Sequence, residues 1–295
     1  MTATLLVTGA SGQLGRSVIN HLLDTYKVPP AQIIATTRTP ATLADLAARG
    51  VTVREANFDD TASLAAAFEA ADRMLIISTN ELAVQGKRQE QQLAAVAAAK
   101  QAGVSHIHYT SMPTPEGSPI LFAPDHYATE QAIKASGIPY TIFRNGWYDE
   151  NLFMAMPQVL APGQWYTSAG DGAISYGARD DYAAAIAAGL ASDASESTTY
   201  TLTGPKAYTA AEVAALVTEV TGKPIQIVQL SDDALTEGMK AAGLPEPIAR
   251  LLVSFDAATR AGGLGMVTDS VEKLSGRKSV SLEQFLQNNK AALVG

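Results

Sequence analysis

A doubly wound parallel α/β sheet over residues 1–150, followed by a second, smaller, mostly helical α/β domain over residues 151–295, is the fold the sequence predicts. Three observations predict it. The chain opens with an apolar run that breaks into a glycine-rich turn and then into a helical pattern. Near-continuous apolar segments then alternate with helix-like segments as far as residue 144. From about residue 151 that rhythm stops, and prolines, glycine turns and helices take over. Buried strands separated by helices imply a parallel sheet covered on both faces. Right-handed crossovers then put ligands at the carboxyl ends of the strands.

The first element is the apolar strand Leu5-Leu6-Val7, and Thr8-Gly9-Ala10-Ser11-Gly12-Gln13-Leu14-Gly15 follows it. A helix continues through Val18, Ile19 and Leu22. Gly9 permits a tight exit from the strand, Gly12 lets backbone approach a pyrophosphate, and Gly15 lets helix pack closely on strand. The helix turns its N-terminal amides and positive dipole end toward the same place. Set between strand and helix at the start of the chain, this is the context a dinucleotide-binding turn requires.

Pro29-Pro30 breaks the chain before a second strand at 32–38. A helix at 42–49 ends at Gly50, a third strand spans 51–56 and a helix spans 61–70. Residues 74–78 form a fourth, buried strand, and a glutamine- and alanine-rich helix runs on to Lys100. Gly103 stops it before a fifth strand at 105–109. A helix at 124–135, closed by Gly137, precedes a sixth strand at 140–144. In the second half, Pro157, Pro162 and Gly163 interrupt, and Gly170-Asp171-Gly172 is a turn. Helix is expected at 180–190, strand at 199–202 and 225–228, and a capping box at Thr209–Glu212 opens another helix. This half reads as a substrate-covering domain that can return some elements to the main sheet.

Composition excludes several classes. The 295 residues are 47% hydrophobic and 17% charged, enough for a full core. A net charge of −8 opposes nucleic-acid binding. The absence of cysteine removes disulfides, thiolate catalysis and cysteine-based metal sites. No apolar run approaches the roughly 20 residues of a membrane span, and the first strand begins without a leader-like segment, so a cytoplasmic protein is expected.

The candidate residues sit at strand ends. Arg38 closes the second strand, where NAD-selective proteins carry an acidic residue; an arginine there suits the 2′-phosphate of NADP. Ser78, Thr79 and Asn80 end the fourth strand, and Thr110 and Ser111 end the fifth. Asn145, Gly146, Trp147 and Tyr148 follow the sixth, where the nicotinamide is expected. Each of these also reads singly as a cap or turn residue; at consecutive strand ends they outline one crevice. Trp147 and Tyr148 suggest an aromatic wall for a flat substrate. His106 and His108 alternate to one face of the fifth strand, but no carboxylate at ligand spacing joins them, and no metal is expected.

Taken in order, Thr-Gly-Ala-Ser-Gly-Gln-Leu-Gly, Arg38, Ser78-Thr79, Tyr109-Thr110-Ser111, His126-x-x-Thr129-Glu130 and Arg144-Asn145-Gly146-Trp147-Tyr148 resemble the NmrA-like branch of atypical short-chain dehydrogenases. The resemblance continues through Arg179-x-Asp181-Tyr182 to Ser281-Leu282-Glu283. Within that branch the chain is most similar to bacterial NADPH-dependent quinone reductases, with triphenylmethane reductases next. The resemblance implies NADPH as cofactor, held by residues 9–14, Arg38, 78–80 and 145–148.

Typical short-chain dehydrogenases use a serine with a Tyr-x-x-x-Lys frame. Aligned on Glu130, this chain has Phe122 and His126 in that frame, and Tyr127 lies one position off. The standard proton relay is therefore missing. A quinone tolerates the loss, because its reduced oxygen is a delocalised phenolate; an aliphatic ketone gives a far more basic alkoxide that needs a positioned acid. The expected partner is a small-molecule electrophilic acceptor, with no nucleic acid and no membrane, and a homodimer stays open. His126, with an ordinary pKa of about 6.5, could orient or protonate substrate or could be structural. Tyr127, Asn145 and Tyr148 could hydrogen-bond the acceptor oxygen or simply pack. Reduction of ketones, triarylmethane dyes or activated alkenes remains an alternative, as does a non-catalytic redox sensor. The residues also leave open whether 231–263 closes over the site.

Overall fold

The computed structural model describes residues 3–82 and 84–294. The first half contains strands β1 (Leu5–Val7), β2 (Ile33–Thr37), β3 (Thr52–Glu55), β4 (Arg73–Ile76), β5 (His106–Ser111) and β6 (Tyr140–Asn145). Helices α1 (Gln13–Asn20), α2 (Ala44–Ala48), α3 (Thr61–Phe68), α4 (Lys87–Gln101) and α5 (Ala123–Ala135) alternate with them. The second half begins with β7 (Trp147–Tyr148), α6 (Leu152–Leu160), β8 (Gln164–Thr167), β9 (Ala173–Gly177) and α7 (Arg179–Ala191). It continues through β10 (Thr198–Leu202), β11 (Ala207–Thr209), α8 (Ala210–Thr221), β12 (Gln226–Gln229), α9 (Asp232–Ala241) and α10 (Glu246–Arg260). The last helices are α11 (Ser270–Ser275), α12 (Leu282–Asn288) and α13 (Lys290–Val294).

Among the described residues, seven strands form one parallel sheet in the order β10-β6-β5-β4-β1-β2-β3. Successive side chains point to opposite faces, and both faces are buried. On one face Val7, Ala35, Leu75 and Phe143 pack under α1, α2, α7 and α11. On the other, Leu6, Ile34, Met74, Ile107 and Ile142 pack under α3, α4 and α5. The seventh strand comes from the second half: β10 runs parallel to β6, and Tyr200 pairs with Phe143. Helix α7 lies close on that edge because Gly189 has no side chain; a Cβ there would sit 2.7 Å from the Phe143 ring.

The chain proceeds outward from β1 to β2 and β3, then returns to place β4 on the other side of β1. The order reverses at that point, so the loops after β1 and β4 part above a crevice. Beside it, β7, β9 and β11 make a second sheet, and β8 pairs with β12. Their core joins α6, α8 and α12 through Met156, Val213, Val217 and Leu286. Thr209 and Glu212 form the expected capping box at the start of α8. No helix among the described residues is long and apolar enough to cross a membrane.

Two elements differ from expectation in ways that affect the site. Strand β4 ends at Ile76, so Ser78 belongs to the loop. Strand β5 runs on to Ser111, because Thr110 and Ser111 register against Phe143 and Arg144 of β6. In α1, a Cβ on Gly15 would lie 2.5 Å from the Gly9 carbonyl oxygen and 3.0 Å from the Ala10 Cα. Gly15→Ala is therefore expected to force strand and helix apart and destabilise the protein by about 1–3 kcal/mol, measured by urea unfolding.

Candidate active site

The glycine turn is shaped by backbone bonds. Gly9 has φ +61°, in the left-handed region. The Gly12 amide donates to the Gly9 carbonyl (2.9 Å) and the Ala10 amide to the Thr36 carbonyl (3.0 Å). The first intrahelical bond is from the Arg16 amide to the Gly12 carbonyl (3.0 Å), so the amides of Gln13, Leu14 and Gly15 have no partner inside α1. Gly12 caps the helix without a side chain. Together these form an open cradle of amides at a helix N-terminus, suited to a diphosphate.

Arg38 stands where the sequence places the adenosine end. It is exposed just beyond β2, makes no ion pair with a described residue and exerts a Coulombic pull on Asp59. Strand β2 carries no acid, and the Ser11 and Thr37 hydroxyls meet beside Arg38 at 3.0 Å. Across the crevice the Ile77 amide donates to Thr8 Oγ1 (2.9 Å) and the Ser78 amide to Thr110 Oγ1 (2.9 Å). Thr110 is thus a buried brace for the 78–80 loop, its hydroxyl bonded to the Ser78 amide and hydroxyl. Asn80 is exposed at the rim. Thr79 Oγ1 and Asn145 Oδ1 are buried without a hydrogen-bond partner among the described residues. Two orphaned polar atoms and the Gly9–Gly15 cradle on one crevice fit a dinucleotide bound across the switch point.

Asn145 is buried at the end of β6, and its Nδ2 donates to the Tyr148 hydroxyl (3.0 Å). Gly146 joins them, because a Cβ there would lie 2.9 Å from both the Leu202 carbonyl and the Tyr182 hydroxyl. Burial raises the Tyr148 pKa, although Asn145 and Arg179 pull it down. Trp147 meets Phe255 of α10 edge to face, with ring centres 4.8 Å apart, and Phe122 meets Phe255 at 5.7 Å. Phe255 therefore completes the aromatic wall from within the 231–263 segment.

His126 and Tyr127 do not join this group. His126 is 4% exposed, and both ring nitrogens are engaged. Arg88 Nη2 donates to Nε2 (2.8 Å), which leaves the proton on Nδ1 to donate to the Tyr109 hydroxyl (2.8 Å). Tyr109 in turn donates to Gln92 (2.7 Å). Burial and then the Arg88 charge hold the His126 pKa well below its ordinary value. The expectation that His126 orients or protonates substrate is corrected: it is a neutral structural histidine. The Tyr127 hydroxyl donates to exposed Glu116 (3.4 Å), and among the described residues no hydrogen bond joins it to Asn145 or Tyr148. Ser111 is also committed, donating to Glu130 (2.7 Å), which is fully buried and bound by Arg144 at 2.9 and 2.7 Å. Burial raises the Glu130 pKa, but Arg144 and Ser111 outweigh it and hold the carboxylate below its ordinary range. His106 and His108 lie side by side on the other face of β5, their rings tilted by 32°, bonded to Thr141 (2.9 Å) and the Gly189 carbonyl (3.2 Å), with Arg73 against His108 (3.4 Å).

Three further groups, Phe255, Arg88 and Asp149, were not singled out from the sequence, and Arg179 stood there only in the motif Arg179-x-Asp181-Tyr182. Arg88 ties the site together, donating also to the Thr79 carbonyl (2.7 Å). Asp149, directly after Tyr148, is 0% exposed, and neither carboxyl oxygen has a partner among the described residues. Burial, with Glu150 and Asp181 adding to it, pushes its pKa up to about 8.

Comparison with known proteins agrees with this geometry. Residues 1–286 match the NmrA-like family, and the chain belongs to it. It is 39% identical to quinone oxidoreductase 2 of Escherichia coli over 96% of this chain and 98% of that one. The crystal structure of that NADPH-dependent quinone oxidoreductase complexed with NADPH superposes with a TM-score of 0.90, at 38% identity, covering 96% of this chain and 99% of that one. The triphenylmethane reductase of Citrobacter sp., complexed with NADP(H), gives a TM-score of 0.88 at 34% identity, over 98% and 99% of the two chains. An NAD(P)H azoreductase of Xenophilus azovorans is 28% identical over 98% of both.

The Asp149 carboxyl has a consequence for stability. Its folded pKa lies above the unfolded value, so its contribution is full below the unfolded pKa and is lost as pH rises to about 8. Asp149→Asn removes that titration. The variant is expected to gain thermal stability relative to wild type between pH 5 and pH 8, measured as the pH dependence of Tm; parallel curves would contradict the buried, protonated carboxyl.

Proposed function

We propose that this protein is an NADPH-dependent oxidoreductase that reduces a quinone-like, electrophilic small-molecule acceptor. The observation that carries the reading is the Asn145–Tyr148 pair at the end of β6, with the adjoining Trp147 packed on Phe255 and Phe122 in the frame where a tyrosine would act. The names of the relatives, an NADPH-dependent quinone oxidoreductase among them, support it.

NADPH, when bound, supplies the hydride. The α1 amides and the glycine turn hold its diphosphate, and Arg38 with Ser11 and Thr37 answers the 2′-phosphate. The Ser78–Asn80 loop, braced by Thr110 and Arg88, lines the crevice wall. On the acceptor side, Trp147 and Phe255 offer flat apolar faces and exclude water. Asn145 donates to the Tyr148 oxygen, which leaves the Tyr148 proton directed to an acceptor oxygen. Burial keeps that phenol protonated at neutral pH. A phenol of raised pKa can hydrogen-bond a forming phenolate; it is poorly matched to drive a ketone to its alcohol.

Two measurements follow. Tyr148→Phe removes one hydrogen bond to the acceptor oxygen and is expected to lower quinone turnover about 10-fold, leaving the NADPH Kd unchanged. Arg38→Gln is expected to raise the KM for NADPH by about 10- to 100-fold with little effect on NADH. Equal losses with both cofactors would contradict the 2′-phosphate assignment.

A further inference from the structure

A second cation stands at the cofactor cradle, and it comes from the other half of the chain. Arg179 is the first residue of α7, and its guanidinium lies 4.9 Å over the Tyr148 ring. The same guanidinium donates to the Gln13 side chain, at the N-terminus of α1. Among the described residues its guanidinium pairs with no carboxylate; the nearby Asp180 and Asp181 face Arg277 instead, at 3.9 Å each. Its placement is fixed from several directions. Both Glu150 oxygens accept its backbone amide at 3.1 Å. The next residue, Asp180, accepts from Ser17 (2.7 Å) and contacts His21 Nε2 (2.9 Å). Gln13, Ser17 and His21 are four residues apart, so one stripe of α1 and of the helical turn that continues it receives the start of α7.

The charge balance points the same way. The dinucleotide brings two diphosphate charges to the α1 N-terminus in a protein of net charge −8. The glycine turn supplies amides and a partial dipole charge but no full cation. Arg16, the cation nearest in sequence, is paired with Asp45 at 2.5 Å. A guanidinium has five donors, and one bond to Gln13 leaves others for phosphate oxygens in a planar fork. Stacking on Tyr148 holds that plane at the crevice.

We propose that Arg179 is a ligand of the cofactor's diphosphate, contributed by the second half of the chain and serving NADPH and NADH alike. The proposal rests on the dinucleotide reading above and adds a residue whose signature differs from that of Arg38. Arg38 answers a group that only NADPH carries; Arg179 answers one that both cofactors share.

The test is equilibrium binding to the full chain by calorimetry, without an acceptor. Arg179→Gln is expected to weaken NADPH and NADH by the same factor, about 10- to 100-fold. It is expected to leave adenosine 2′-monophosphate, which has the 2′-phosphate but no 5′-phosphate, within about 3-fold of wild type, a binding-energy change well under that of one charged hydrogen bond. Arg179→Lys keeps the charge but loses the fork and the stack, so both dinucleotides are expected to weaken by a smaller common factor. Unchanged dinucleotide affinities, or a loss confined to NADPH, would overturn the proposal. An equal loss of adenosine 2′-monophosphate would do so too, by showing that the residue only supports the fold. If wild type itself bound neither dinucleotide, the NADPH reading would fall and take this inference with it; wild-type binding beside an unchanged variant would sink this inference alone.

Discussion

The structure depends on how closely α1 approaches the turn after β1. Only a missing Cβ at Gly15 allows the Gly9 carbonyl to sit where it does, 2.5 Å from where that atom would be. That contact sets the angle at which α1 leaves the sheet, and hence where its unpaired amides point. It also brings the helix to the place where α7 can dock on it through Asp180 and Arg179. The reversal of strand order between β1 and β4 opens the crevice in front of those amides. Cofactor site and inter-half seam are therefore consequences of one steric fact.

The acceptor side rests on a different device, the reuse of a proton-relay frame as scaffolding. Where a tyrosine and a lysine would act, Phe122 and His126 stand, and the histidine is locked between Arg88 and Tyr109. Arg88 is itself buried, with Asp125 at 3.6 Å, and it carries the 78–80 loop on its Nε. The neighbouring Ser111 is bound to the Glu130–Arg144 pair. Buried polar groups of this kind are costly unless satisfied; satisfied, they hold strand ends rigid. What the site gives up in acid–base power it keeps as order.

Much of this was legible in the residues. A parallel sheet brings strand ends together, so Gly9–Leu14, Arg38, Ser78–Asn80 and Asn145–Tyr148 could be grouped from spacing alone. The seventh strand and Phe255 were harder, because they reach the site from more than 50 residues beyond β6 with no periodic signal linking them to it. His126 and Tyr127 show a finer failure. Adjacent helical residues point about 100° apart, and α5 turns 126, 129, 130 and 133 into the protein. That choice is decided by packing against Tyr109, which local sequence does not reveal. Asp149 was invisible for the same reason: burial, not residue type, makes it unusual.

The most direct measurement is the rate of NADPH oxidation by wild type with benzoquinone, set against an aryl alkyl ketone of similar size. In the function proposed above, the half-buried Tyr148 phenol offers a hydrogen bond, and no Tyr-x-x-x-Lys frame delivers a proton to an alkoxide. The account predicts efficient quinone turnover and a ketone rate lower by about 100-fold or more, the contribution of a positioned acid. Comparable turnover of the ketone would contradict it.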